Sequence, residues 1–394
     1  MKIAVTGAVG LMGPLIVRDL SESSEVEEIL VADYRESKAK EYAASFKDAR
    51  IKACFIDVRN IEETAKALAG YDAVINSVHL AFNLSVMKAC LKAGCHYNDL
   101  GGLFHISRKQ LELHDDFRKA GLTAVLGIGS APGITNVQAR YAYDRLDEVE
   151  VVRMSAAQLY RLDIENDVFV FRPPYSIRSI MDEFSVESVQ FIDGEYKSLP
   201  PLSGTEDILF PEPIGQRTVI YTLHSEPATI PASFKDKGVR EVTWKLGFPP
   251  EYADKFGFLA AIGFASNEPV KVQGVEVSPL EVLTAVLDKH VKEKLEGVKV
   301  KRSDIGVRRA QVFGKKGDKK IEYVVDCIAG THSRWGATCA TQAPPSIVAQ
   351  MQVKGMIKEP GVWAPEQVIE PEYFFAELAK REMRVQVTIK EDIA

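Results

Sequence analysis

Three glycines near the N-terminus have the spacing of a phosphate-binding turn. Gly7, Gly10 and Gly13 follow a short apolar run and precede apolar residues at helical intervals. In such a turn the first glycine allows the tight bend, the second lets the backbone approach a pyrophosphate, and the third lets helix and strand pack closely. The N-terminus of the next helix then offers unpaired N–H groups to the phosphates. The pattern predicts a dinucleotide site.

A carboxylate ends the second apolar run. Asp33 stands 26 residues after Gly7, where it could accept hydrogen bonds from the adenosine ribose. A carboxylate there repels the 2′-phosphate of NADP, so we predict NAD as the cofactor. Arg35 could weaken this preference by pairing with a phosphate.

Apolar strand-like runs alternate with helical patterns through residues 1–132. This alternation predicts an α/β fold, a Rossmann-type doubly wound parallel sheet that binds the dinucleotide. Residues 133–340 are strand-rich without regular crossovers, which predicts an inserted α+β domain for substrate binding and oligomerisation. Residues 341–394 are predicted to form a C-terminal segment whose helices return to the first domain.

Shorter patterns predict individual elements within this plan. Helices are expected at 107–119, 134–143, 279–294 (capped by Ser278) and 346–356, a strand at 258–264, and a hairpin that joins 310–313 to 321–327.

Ligands of doubly wound sheets bind beyond the carboxyl ends of the strands. Polar residues at the predicted strand ends therefore join the glycine turn as candidate cofactor contacts, although loop hydrogen bonds and helix caps are the alternative role for them. The predicted cofactor residues are Gly7, Gly10, Leu11, Met12, Gly13, Asp33, Arg35, Asp57, Asn76, Ser77, Val78, Asp99 and Pro132.

The composition excludes several classes of binding partner and of site. The chain has 394 residues, a net charge of −6 and scattered basic residues, which argues against nucleic acid or an anionic membrane as partner. No apolar run approaches a membrane span, and the N-terminus reads as a strand instead of a signal peptide, so a cytoplasmic protein is expected. Five scattered cysteines lack metal-ligand spacing, so neither a metal site nor a disulfide is expected.

Several motifs together resemble the saccharopine dehydrogenase-like family. They are the glycine turn at 7–13, Asp-Leu-Gly-Gly at 99–102, Ala-Pro-Gly at 131–133 and Gly-Val-Trp-Ala-Pro-Glu at 361–366. Within this family the chain most resembles the branch of NAD-dependent L-lysine 6-dehydrogenases. The resemblance is strongest over residues 1–150 and 335–375.

The resemblance implies hydride transfer between nicotinamide and a carbon that bears an amine. In the lysine reading the ε-carbon gives hydride to NAD, and the imine is then hydrolysed. Saccharopine-type and carboxyspermidine-type dehydrogenases, which run the same redox step on other substrates, are the alternatives. A homodimer or larger homo-oligomer is also implied. The chain departs from the lysine enzymes at residues 224–229, where acidic Glu226 and rigid Pro227 could change the accepted substrate.

Amine oxidation also needs a proton acceptor. Asp99 could take the proton or orient a substrate ammonium, with ribose binding or a turn cap as its alternative. His224 could act as the base near neutral pH, with a structural role as its alternative. His79 could flank the nicotinamide. The candidates for binding a substrate carboxylate are Arg153, Arg172 and Arg240.

Two other readings compete with this one. The residues from Tyr34 to Lys38 match the YxxxK motif of short-chain dehydrogenases, but they lie at the adenosine end, far from hydride transfer. A non-catalytic NAD-binding sensor would also explain the divergent loop at 224–229. Binding of NAD without turnover of any amine would favour that sensor.

Overall fold

The computed structural model describes residues 1–164, 170–330 and 338–392 of the chain. Its strands form two large sheets and one small hairpin. In chain order the strands are β1 (Lys2–Thr6), β2 (Glu28–Asp33), β3 (Ile51–Phe55), β4 (Ala73–Asn76), β5 (His96–Asp99), β6 (Thr123–Val125), β7 (Glu148–Ile164), β8 (Ser188–Ile192), β9 (Glu195–Leu199), β10 (Glu206–Leu209), β11 (Gln216–Tyr221), β12 (Glu241–Gly247), β13 (Val270–Val272), β14 (Val275–Val277), β15 (Val300–Lys316), β16 (Lys319–Gly330), β17 (Gly361–Trp363) and β18 (Arg384–Glu391).

Helices cover the first sheet and one face of the second. In chain order they are α1 (Gly13–Ser21), α2 (Glu36–Ser45), α3 (Ile61–Leu68), α4 (Asn83–Ala93), α5 (Leu103–Leu111), α6 (His114–Lys119), α7 (Ile134–Tyr143), α8 (Ile177–Ser185), α9 (Glu226–Ser233), α10 (Pro250–Ala261), α11 (Pro279–Leu295), α12 (Cys339–Val353), α13 (Pro365–Val368) and α14 (Pro371–Lys380). Two 3₁₀ turns, Leu80–Phe82 and Lys235–Lys237, precede α4 and follow α9.

The first sheet is parallel, in the order β17-β6-β5-β4-β1-β2-β3 within the described residues. Its central strands β1, β2 and β4 are mostly apolar because both of their faces are covered, and Ile3, Val5 and Ile75 are completely buried. The strand order reverses beside β1, which has β2 on one side and β4 on the other. This reversal opens the crevice in which doubly wound sheets bind ligands. The predicted Rossmann-type sheet is confirmed.

The second sheet is mixed and follows the order β10-β11-β12-β7-β15-β16-β18, with the β8–β9 hairpin attached to β12. The long strands β7, β15 and β16 pair antiparallel at its centre. One face packs on α7, α8 and α10, where Trp244, Ile180 and Phe256 are buried in one apolar cluster. This face is directed towards the first sheet, because Cys327 and Ala329 of β16 share an apolar cluster with Val125 of β6.

Most of the individual elements agree with the sequence predictions. Helix α7 spans 134–143 as predicted, and the predicted hairpin lies within β15 and β16. Helix α11 is capped as predicted, because the Ser278 hydroxyl accepts from the Glu281 amide at 3.3 Å.

One prediction about an element is wrong, and two predicted helices differ from the structure in their bounds. The predicted strand at 258–264 lies largely in helix α10, whose start is set by Pro250 at its first position and whose Phe256 packs on α8. The predicted helix at 107–119 is two helices, α5 and α6. The helix predicted at 346–356 begins earlier, at Cys339, and continues through two prolines.

The tail is divided between the two sheets. Strand β17 pairs with β6 in the first sheet, and α12 packs on α1, β4 and β5. The last strand, β18, instead pairs with β16 of the second sheet. The domain boundaries at residues 132 and 340 remain predictions. No helix among the described residues is long and apolar enough to cross a membrane.

Candidate active site

A cleft of about 400 Å³ opens at the carboxyl ends of β1, β2, β3 and β4. It unites predicted residues that are far apart in the chain. Seven of the predicted cofactor residues line it, namely Gly7, Gly10, Asp33, Arg35, Asp57, Ser77 and Val78, together with His79.

The glycine turn packs too closely against its neighbours to accept side chains. A Cβ on Gly13 would stand 2.5 Å from the backbone of Ala8, and one on Gly7 would stand 3.0 Å from the carbonyl of Ser77. Helix α1 begins after Met12 without a side-chain cap, so its first amides have no capping side chain. Such an uncapped, glycine-lined helix start fits the pyrophosphate of a dinucleotide.

Asp33 is 1% exposed and lies under the turn. It accepts from the Val9 amide at 3.2 Å, and Arg35 donates to both of its oxygens, at 3.0 and 3.2 Å. Burial opposes the ionisation of Asp33, but these hydrogen bonds outweigh it and hold the pKa of Asp33 below its ordinary value. The carboxylate is therefore anionic at neutral pH, and Arg35 is already paired with it.

A buried polar network lies behind the cleft. Thr6 donates to Asn76 at 2.8 Å, and the Asn76 amide donates to Asn83 at 2.9 Å and to the Tyr97 hydroxyl at 3.2 Å. Since these residues come from β1, β4, α4 and β5, the network ties the strand ends together. Asn76 is 1% exposed, so it supports the cleft from behind.

Asp99 is the centre of this network. Its carboxylate accepts five hydrogen bonds, from Tyr97 at 2.8 Å, Gln110 at 2.6 Å, Asn83 at 3.2 Å, and the amides of Gly101 at 2.9 Å and Gly127 at 2.7 Å. Burial raises the pKa of Asp99 above its ordinary value, although the surrounding donors oppose the shift. With five donors and 1% exposure, Asp99 is engaged by the protein itself. These contacts favour a positioning role over the predicted proton acceptor.

The second catalytic candidate has different surroundings. His224 Nδ1 pairs with the carboxylate of Glu226, whose other oxygen accepts from Thr135 at 2.8 Å. The imidazole stacks on Trp244 with ring centres 4.1 Å apart. Glu226 is fully buried, whereas the His224 side chain keeps 13% of its surface exposed. The acid that the sequence suggested as a substrate selector therefore orients His224.

This His224–Glu226 pair lies beyond the ends of β5 and β6. A Cβ on Gly101 would be 3.7 Å from the Ser225 hydroxyl, and Thr135 belongs to the helix that follows β6. Asp33 and Asp57 mark the adenosine side of the crevice, over β2 and β3. The pair thus lies on the side of the crevice opposite to Asp33 and Asp57, where a dinucleotide with its adenosine over β2 and β3 would place its nicotinamide.

Helix α8 brings two further carboxyls to the same region. Burial is the main cause that raises the pKa of Glu183, to about 7, and neighbouring Asp182 raises it further, whereas a hydrogen bond from Tyr175 and the proximity of His224 lower it. Asp182 is largely exposed, but the protein around its carboxyl removes part of the water and raises its pKa. The nearby His79 opposes that shift. Asp182 is thus near enough to His79, and Glu183 to His224, for each histidine to affect the pKa of its carboxyl. Asp182 and Glu183 are called the acidic pair of α8 below.

The remaining predicted residues have other surroundings. Leu11 is exposed and lines a neighbouring cleft of about 540 Å³ with Tyr175. Pro132 is buried beside Gly101 and Gly127. Gln342 of α12, which the sequence analysis missed, donates to the Leu11 carbonyl at 3.3 Å, so the tail helps to hold the glycine turn.

The predicted carboxylate clamps lie elsewhere. Arg153 pairs with Glu241 and is 48% exposed, Arg240 is exposed, and Arg172 lines the cleft beside Leu11. The sequence analysis missed the acidic pair, because two adjacent acidic residues in an amphipathic helix are typical of its solvent-exposed face. Within the described residues, no group of His, Cys, Asp or Glu is placed to hold a metal ion.

Comparison with known proteins agrees with this geometry. Residues 3–125 match the saccharopine dehydrogenase NADP binding domain, and residues 129–383 match the saccharopine dehydrogenase C-terminal domain. The chain is 27% identical to carboxyaminopropylagmatine dehydrogenase of Synechocystis, over 96% of this chain and 95% of the relative. It is 25% identical to carboxynorspermidine synthase of Vibrio cholerae, over 93% and 92%.

The fold also has a solved counterpart. Saccharopine dehydrogenase (L-Glu forming) from Saccharomyces cerevisiae superposes with a TM-score of 0.72 over 99% of both chains, at 14% identity. At this identity the likeness concerns the fold alone.

Proposed function

Since the chain belongs to the saccharopine dehydrogenase family and is an NAD(P)-dependent dehydrogenase, we propose that it acts on a C–N bond of a carboxylated polyamine. The observation that carries the proposal is the hydrogen-bonded His224–Glu226 pair, with the carboxyl of Glu183 near enough for His224 to lower its pKa. An amine with a second cationic nitrogen requires a proton acceptor at the reacting nitrogen and anionic side chains near the other nitrogen. The relatives' names, which join a carboxyl group to norspermidine or agmatine, support the same class.

His224 is the proposed proton acceptor. Its Nδ1 donates to Glu226, which leaves Nε2 as the nitrogen that exchanges a proton with the substrate amine. Trp244 covers one face of the imidazole and limits the access of water. Bound NAD(P) supplies the hydride acceptor or donor. In the direction of oxidation, His224 removes a proton from the nitrogen while the adjacent carbon loses hydride, and a C=N bond forms.

Asp99 is proposed as a positioning residue. It holds the ends of β5 and β6 together through Gly101 and Gly127, next to the loop that packs on Ser225. The chemistry therefore depends on Asp99 for geometry and on His224 for proton transfer.

The L-lysine 6-dehydrogenase activity implied by the resemblance remains a second candidate, since lysine also carries two cationic nitrogens and a carboxylate. The family match and the dehydrogenase relative do not support the sensor reading. The homo-oligomer implied by the resemblance remains a proposal.

A panel of matched amines tests the function. Purified protein with NAD or NADP is offered carboxyspermidine, carboxynorspermidine, saccharopine and L-lysine, and the absorbance of the reduced nicotinamide is followed. We expect turnover of a carboxylated polyamine. Turnover of L-lysine alone would assign the lysine reaction instead, and binding of dinucleotide without any turnover would contradict the proposal.

Cofactor preference provides a second prediction. We expect the natural protein to prefer NAD, because Asp33 is anionic and Arg35 is occupied by it. Replacing Asp33 by Ser removes the repulsion and frees Arg35 for a 2′-phosphate, so the NADP/NAD ratio of kcat/KM should rise by about 10²-fold. Asp48→Ser, which removes a similar Arg-paired aspartate outside the cleft, is the control. Equal efficiency of the natural protein with both cofactors would contradict the prediction.

The acidic pair predicts a pH dependence of amine binding. Burial raises the pKa of Glu183 to about 7, so this carboxyl is mostly neutral below that pH and anionic above it. The dissociation constant of a cationic amine should therefore fall about tenfold per unit as the pH rises towards 7, and then level off. Tyr175, Asp182 and His224 are the other titratable groups that act on Glu183.

Calorimetric titrations with spermidine at several pH values measure this dependence. Glu183→Gln should remove most of it, whereas Glu187→Gln, on the exposed segment after α8, should leave it unchanged. A dependence that survives in the Glu183 variant would assign it to another group.

A further inference from the structure

Arg308 is a buried cation in strand β15. Only 5% of the residue is exposed, and burial lowers the pKa of its guanidinium. Its Nε donates to the hydroxyl of Ser130, in the loop that follows β6. Its Nη1 is buried and has no hydrogen-bond partner among the described residues. A desolvated charge without an anion destabilises a protein, so this arrangement needs a ligand to account for it.

The adjacent residue shows what a paired arginine looks like in the same strand. Arg309 points to the opposite face of the sheet, where its Nε and Nη2 each donate to Asp326 at 2.8 Å. No described carboxylate forms an ion pair of this kind with Arg308. Arg309 therefore has an anionic partner, whereas Arg308 has none among the described residues.

The guanidinium of Arg308 occupies space that is open only because residue 306 is a glycine. It lies over Gly306, where a Cβ would stand 2.7 Å from Nη1 and 3.4 Å from Gln158. Any larger residue at 306 would displace the guanidinium. The strand register places Gln158 opposite Gly306 on β7, so the side chains of Arg308 and Gln158 share one face of the sheet.

That face also carries the residues of the candidate active site. Trp244, on which His224 stacks, pairs with Met154, and Met154 pairs with Ala310, two residues from Arg308. Two strand spacings and two residues along the strand separate the Cα atoms of Trp244 and Arg308 by about 12 Å. Ser130 belongs to the loop that leads into α7, the helix that supplies Thr135 to Glu226.

We propose that Arg308 binds the carboxylate of the substrate. Guanidinium and carboxylate are both planar and form two parallel hydrogen bonds, and Ser130 keeps one edge of the guanidinium in place while Nη1 stays available. Because Arg308 and Trp244 lie on one face of the sheet, a substrate bound on that face can contact both Arg308 and His224. The inference rests on the proposed function for the identity of the molecule that bears the carboxylate.

The test compares amines that differ only in a carboxylate. Dissociation constants for L-lysine and cadaverine, and for carboxyspermidine and spermidine, are measured by calorimetry with NAD present. For at least one pair, the natural protein should bind the carboxylated member at least tenfold more tightly. Arg308→Gln should weaken binding of that member by about 10²-fold and leave the other member unchanged.

Arg309→Gln is the matched control. It breaks the nearly buried ion pair with Asp326, so it should lower the melting temperature. It should keep the preference for the carboxylated amine. Arg308→Gln should do the reverse, with a melting temperature equal to or above that of the natural protein. A purely structural role for Arg308 would lower the melting temperature and leave the discrimination intact.

The outcomes separate this inference from the proposed function. Discrimination that depends on Arg308, without turnover of any amine, would support the carboxylate site and overturn the proposed function. Turnover of a carboxylated polyamine with unchanged KM in Arg308→Gln would support the function and overturn the site. Weaker binding of NAD by Arg308→Gln would assign the guanidinium to the dinucleotide and overturn the inference, as would the absence of discrimination in the natural protein.

Discussion

Replacing His224 by Asn is expected to lower kcat by about 10²- to 10⁴-fold while the affinity for NAD stays unchanged. Asn cannot accept the proton that Nε2 accepts, and it also loses the stacking on Trp244. Steady-state kinetics with the best amine of the panel, together with fluorescence titration of NADH, measure the two quantities separately.

Glu226→Gln should reduce kcat by about 10²-fold, since a neutral amide no longer fixes the tautomer of the imidazole. His105→Asn, on the exposed side of α5, is the control and should leave kcat unchanged. Added imidazole should partly restore the activity of His224→Ala. If His224→Asn kept the kcat of the natural protein, proton transfer would belong to another group.

Asp99→Asn is expected to reduce the free energy of unfolding by about 3–5 kcal/mol. The amide would present a nitrogen donor to the amide donors of Asn83 and Gln110, and a buried donor without an acceptor costs about 1–3 kcal/mol. Since whole domains are stable by only about 5–15 kcal/mol, the melting temperature should fall by several degrees. Thermal unfolding followed by circular dichroism measures the change.

Asp57→Asn is the matched control, because Asp57 also follows a strand of the first sheet but pairs with Arg59 at the surface. Its melting temperature should be nearly that of the natural protein. An Asp99→Asn protein that melts like the natural one but has lost turnover would restore the catalytic role predicted from the sequence.

The sequence alone determined the first sheet and its cofactor cleft. Strand, glycine turn, helix and acid follow one another within 33 residues, and each depends on local chemistry: an apolar run, a missing Cβ, a carboxylate at a strand end. Local patterns also predicted the cap of α11 and the hairpin of β15 and β16. These features could be predicted because the interactions that specify them lie close together in the chain.

The surroundings of the candidate active-site residues were decided only by the tertiary structure. His224 and Asp99 were both plausible bases by residue type, yet one meets a buried glutamate and an indole, while the other is surrounded by five donors. Glu183 and Arg308 gave no local signal at all. Their properties arise from burial and from partners far away in sequence, as in the 178-residue separation of Ser130 and Arg308. The packing of the second sheet on the first selects those partners, because strand register and crossing loops determine which side chains share a face.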